Sequence, residues 1–254
     1  MSRYLTRAST LLLAGLLGVA ATAAQADTTL TYQGASGEFT VDMKPGAVRI
    51  DDATRQWQLY EESSEAIFSI DPSDRSYTRL DRNTASAIRE RVDTLRAQIE
   101  SRVQQLPEGQ QATARAAMLQ SVPGLDTSAQ KVGLDRTGRE DSVAGVSCEV
   151  VQVVRDGKPA ETLCIASPDA LGMSKQTFAS VKSMFSLMQT MLAGTGFETA
   201  GLPYLSLSGM PVRFTDTNSG ERRQLSDVAH DSLPEKRFTI PDGYIETAIT
   251  QPGG

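Results

Sequence analysis

At 254 residues, 39% hydrophobic and with a formal charge of −6, the chain is long enough for one large or two small domains built on a core. Acidity without a basic cluster argues against nucleic acid and against anionic membrane surfaces as partners. An aromatic content of only 6% argues against a stacking platform for sugars.

The N-terminus reads as a secretory signal peptide. Arg3 and Arg7 precede the apolar run "LLLAGLLGVA" (residues 11–20), and Ala24 and Ala26 offer an A-x-A cleavage pattern ahead of Asp27. The run is short and wrongly flanked for the competing reading, a retained membrane helix. Cleavage would remove residues 1–26 and leave residues 27–254 as a single, more acidic, periplasmic domain. No cysteine precedes Cys148, so no lipid-attachment cysteine follows the apolar run. No later segment is long and apolar enough for a transmembrane segment in the mature chain.

From residue 27 to 82, "TLTYQG", "EFTVDMKPGAVRIDD", "RQWQLYEE" and "EAIFSIDPSDRSYTRL" alternate apolar and polar positions, with Gly, Pro, Asp and Ser at the joints. Phe39, Val41 and Met43 share one face; Trp57 and Leu59 share the same period of two. This pattern predicts an antiparallel meander with one face buried. Asn83 or Thr84 then caps a helix whose stripe is Ile88, Val92, Leu95, Ile99, Val103 and Leu106. The stripe predicts packing on the protein's own sheet, because under three heptads is short for a coiled-coil seam. Pro107 opens a second helical stretch that ends near residues 122–124.

Cys148 and Cys164, the only two cysteines, flank a turn signal in "GVSCEVVQVVRDGKPAETLC". In an oxidising compartment the pair predicts a disulfide. A two-residue Asp156-Gly157 turn would point the side chains to opposite faces, whereas a three-residue Arg155-Asp156-Gly157 loop would set Cys148 opposite Cys164. The bulged three-residue loop is therefore expected. A C-x-x-C redox motif is absent, and one histidine with no third cysteine gives zinc too few ligands.

Residues 167–194 predict an apolar helix, with Ser167 as cap and Pro168 at its first position. Phe178, Val181, Phe185, Met188 and Leu192 form its main stripe, widened by Met184, Leu187 and Met191. Core packing is the simple reading; the methionine-rich arc also suits an adaptable apolar ligand surface. Strands resume with "LPYLSLSG", "PVRFTDTNSG" and "ERRQLSDVAH", and the chain closes with "KRFTIPDGYIETAI". His230, the single histidine, stands beside Ser226, Asp227, Asp231 and Ser232, but adjacency in sequence supplies neither a convergent triad nor an oxyanion hole. Asp71, Ser73 and Asp74 lack the ligand count of a calcium loop. No catalytic residue, metal site or cofactor is assigned.

"VAGVSCEVVQVVRDGKPAETLCIA", the apolar helix after it and a terminal "FTIPDGY" resemble an uncharacterised secreted domain-of-unknown-function family of Gram-negative bacteria. That family is similar in plan to periplasmic lipoprotein carriers (LolA/LolB-like). The resemblance implies an α+β fold: a curved antiparallel sheet, an unclosed β-barrel, with helices packed on the concave side and an apolar cavity between. It further implies a non-enzymatic periplasmic protein that binds an apolar ligand such as a lipid or lipoprotein acyl chain. The expected lining is Phe178, Val181, Phe185, Met188, Leu192 and Trp57. An envelope protein-protein interaction or stress-sensing module without a small-molecule cavity is the alternative.

Overall fold

The computed structural model describes residues 27–52, 55–121, 131–193 and 206–248. The expected signal peptide, the expected helix end near residues 122–124 and the first part of "LPYLSLSG" lie outside them.

The alternating N-terminal runs form six strands: β1 (Thr28–Gly34), β2 (Gly37–Lys44), β3 (Ala47–Asp51), β4 (Trp57–Glu61), β5 (Ala66–Asp71) and β6 (Ser76–Leu80). Two helices follow, α1 (Arg82–Val103) and α2 (Glu108–Gln120), then β7 (Val132–Val143), β8 (Val146–Arg155) and β9 (Lys158–Ala166). A 3-10 turn at Asp169–Leu171 leads to α3 (Lys175–Leu192), and β10 (Met210–Asp216), β11 (Arg222–Ala229) and β12 (Ile245–Glu246) complete the order. All twelve strands join one open, curved sheet in the order β12-β6-β5-β4-β3-β2-β1-β11-β10-β9-β8-β7. Only β12 pairs in parallel, along β6. β11 couples the two meanders by pairing with both β1 and β10.

Contrary to the single buried face expected, both faces of the first meander are covered. One bears Leu30, Val41, Met43, Val48, Tyr60 and Ile67, packed in a cluster with Val181, Met184 and Leu187 of α3. The opposite face bears Trp57, Leu59, Phe68 and Ile70 under Phe238 from the C-terminal segment. Burying each such large apolar side chain contributes roughly 2 kcal/mol.

Helix boundaries differ from expectation at their caps. Asp81, not Asn83 or Thr84, caps α1, its carboxylate accepting from the Thr84 N–H at 2.9 Å. Ser174 caps α3, because Gly172 in a left-handed conformation (φ 61°) ends the 3-10 turn that Ser167 begins. The stripe of α1 is only partly covered. Within it Val103 is buried, while Ile88 is 36% exposed.

The Cys148–Cys164 disulfide is formed, with Cα atoms 5.4 Å apart. Its register corrects the expectation. Arg155 pairs with Lys158 across the two-residue Asp156-Gly157 turn, whose residues both have positive φ, 49° and 77°, as a type I′ turn requires. Ala160 then enters β9 as an extra residue, and beyond this bulge Val150, not Cys148, faces Cys164. The bulge restores the side-chain parity that the tight turn alone would set wrong, so the cysteines share a face as diagonal neighbours.

Candidate functional site

An apolar surface feature lies along α3. Its buried side is Thr177, Ser180, Val181, Met184 and Leu187, rotated about one residue from the expected stripe. Two polar residues tolerate this burial because they are hydrogen-bonded: Thr177 to Ser174, and Ser180 Oγ to the Gly46 N–H at 2.8 Å. The rotation leaves Phe178, Phe185, Met188 and Leu192 half-buried on the flank.

Phe178, Val181 and Phe185 form one wall of an apolar crevice, with Lys182 at its rim; Leu207, Gly209, Met210 and Pro211 form the other. That second wall runs close against the end of β9. A Cβ on Gly209 would lie 1.9 Å from the Ala166 carbonyl oxygen, so glycine alone permits this approach. Tyr32, fully buried, donates from its hydroxyl to the Pro211 carbonyl at 2.9 Å, and burial pushes its phenol well above the ordinary range. The crevice encloses about 10 Å³, room for one water and far below the volume of a pocket for a chain-like ligand.

Of the expected lining residues, Phe178, Val181 and Phe185 are brought together here, and Met188 packs on the edge of the same core. Trp57 is not among them. It faces Asp51 and Ile70 on the sheet face away from α3. Leu207, Met210 and Pro211 were not anticipated; Gly209 between them was the available signal, since glycine beside a strand marks close backbone approach.

The face bearing Trp57 holds a second unanticipated constellation. Arg237 donates from Nε to Asp42 at 2.6 Å and pairs with Asp51 at 2.5 Å. Arg49 also grips Asp51, donates to the Arg237 carbonyl at 2.9 Å, and lays its guanidinium 3.7 Å from the Trp57 ring centre. Asp42, with a side chain only 3% exposed, accepts a further bond from Thr29 Oγ1 at 2.6 Å. Charges so enclosed persist because each is paired and hydrogen-bonded.

A family model described as a domain of unknown function, DUF4412, matches residues 111–244, more than half of the chain. The chain belongs to the DUF4412 family. The match runs from α2 through the disulfide hairpin, α3 and the crevice to the C-terminal segment. No curated protein matches the sequence. Among solved structures, the chain is similar to PNGF-II, crystallised in a C2 space group, at 8% identity and a TM-score of 0.40, covering 88% of this chain and 31% of that one. It is similar to a crystal structure of MucB at 14% identity and a TM-score of 0.33, covering 87% of this chain and 58% of that one. The chain thus spans about a third of the first and somewhat over half of the second. Likeness at these scores carries no argument about fold or function.

Elsewhere in the DUF4412 chain, the histidine is placed against backbone. His230 Nε2 would lie 2.8 Å from a Cβ built on Gly172, so its ring packs on the 3-10 turn before α3. Ser226 is engaged otherwise, donating to the Thr31 carbonyl at 3.1 Å. Asp71 accepts from Ser73 and Gln56, which holds its carboxyl below the usual range, the Ser73 hydroxyl contributing most. Among the described residues no group of three His, Cys, Asp or Glu side chains is placed to hold a metal, and no helix is long and apolar enough to cross a membrane.

Proposed function

We propose that this protein is a non-catalytic periplasmic binding protein for an apolar ligand, such as a lipid or lipoprotein acyl chain, held along the flank of α3. The observation behind this reading is the half-buried row of Phe178, Phe185 and Met188 beside a crevice walled by apolar side chains. The open sheet with a helix on one face is consistent with the carrier-like plan expected from the sequence resemblance. With about 10 Å³ enclosed, the chain lies in the groove or parts its walls on entry, and is not swallowed in a preformed cavity. Titration of delipidated protein with a fluorescent fatty acid tests this. Saturable binding by the wild type, lost in Phe185→Asp with the far-UV circular dichroism unchanged, is the expected result. Phe185 is half-buried at the crevice wall, so a charge there keeps partial access to water, which a fully buried aspartate would lack.

The small crevice volume favours a second reading, an envelope protein-protein interaction module without a small-molecule cavity. It stands if wild-type protein, folded by circular dichroism, binds no acyl chain at any concentration tested.

A further inference from the structure

Residues 233–247 leave β11 and cover the sheet face opposite α3. Phe238, 4% exposed, enters the cluster of Trp57, Leu59, Phe68 and Ile70. The segment is fastened chiefly by side chains: Arg237 to Asp42 and Asp51, Lys44 to Glu235 at 2.5 Å, and Asp27 to the Leu233 N–H at 2.8 Å. Backbone-to-backbone bonds join it to the sheet at the far end, where Ile245 N–H donates to the Arg75 carbonyl at 3.0 Å and Thr247 N–H to the Tyr77 carbonyl at 2.8 Å. The neighbouring strands, by contrast, are joined along whole ladders. An element with few backbone bonds to the body belongs to the low-stability end of a fold and opens locally.

We propose that residues 233–247 form a releasable strap, latched by Arg237, that opens while the rest of the sheet stays folded. The latch is polar and concentrated. Arg237 bridges two carboxylates, and Arg49 ties the strap's own carbonyl to the same site. Opening uncovers two things together: the apolar surface of Trp57, Leu59, Phe68 and Ile70, and the edge of β6 that β12 occupies at rest. The strap is thus a cover over a second surface, independent of the crevice on the other face.

Hydrogen exchange on the full wild-type chain decides the matter without any variant. The Ile245 and Thr247 amides exchange roughly tenfold or more faster than those of the β4–β5 ladder, with little dependence on denaturant. Equal rates and equal denaturant dependence for the two sets would overturn the strap. Trp57, the single tryptophan, then identifies the latch. In Arg237→Gln, its emission shifts to the red and acrylamide quenches it without urea, while the far-UV circular dichroism stays native. An Arg237→Gln protein that folds and shields Trp57 as well as wild type would refute the assignment of the latch. If the variant fails to fold, the wild-type exchange rates stand as the test.

Discussion

A side chain on Gly209 would collide with the Ala166 carbonyl, so this one glycine determines where residues 207–211 run and how wide the crevice stands. Gly209→Ala is predicted to cost about 1–3 kcal/mol, the range for forcing atoms into a packed site. Urea unfolding measures it, and an unchanged midpoint would mean that the wall yields freely. Asp81 gives a second test at this scale. The Thr84 N–H first, then the Thr84 hydroxyl and Arg79, hold its carboxyl below the usual range. Asp81→Ala should cost about 1 kcal/mol at neutral pH. Because the folded pKa is depressed, the contribution is complete above about pH 4 and disappears as pH falls through the lower folded value. The stability gap between wild type and variant should therefore close in acid; a constant gap contradicts the cap. "DRNT" offers several capping residue types in succession, so spacing alone did not select Asp81.

Periodicity identified the N-terminal meander and the run of α3, but not the rotation of that helix. Hydropathy centres the stripe on the phenylalanines, whereas Thr177 and Ser180 turn inward once their hydroxyls find partners. The Thr177 partner, Ser174, is local, but Gly46, the partner of Ser180, lies far away in the chain and leaves no local trace. The hairpin shows the same limit: the place of its turn and its cysteines are legible, but the two-residue form of the turn and the bulge at Ala160 are not marked by any residue that demands them. The disulfide closes a loop with a sequence separation of 16, which the chain-entropy model makes worth about 3 kcal/mol. Replacing both cysteines by serine should lower stability by about that amount and leave acyl-chain binding intact. Loss of binding in a folded variant would place the hairpin in the site.

For the whole molecule, the misplacement of Trp57 has a simple cause. Alternation separates two faces of a strand, yet here α3 buries one and the C-terminal segment the other. An apolar residue of β4 is thus at home on either. Tyr60, buried between Trp57 and Leu59 on one side and Glu61 on the other, was the local sign that both faces are covered. The charged row of Asp42, Arg49 and Asp51 could likewise have pointed to a polar tether, since charges seldom occupy the covered face of a sheet unpaired. The molecule therefore offers two surfaces of different character, a half-buried apolar flank at the crevice and a face closed by the strap. The central claim concerns the flank. Native mass spectrometry of protein purified under mild conditions, with lipid extraction of the same sample, tests it most directly. The predicted result is a non-covalent adduct of acyl-lipid mass that extraction removes, added fatty acid restores and Phe185→Asp lacks. Bare protein alone, before and after addition of fatty acid, would contradict it.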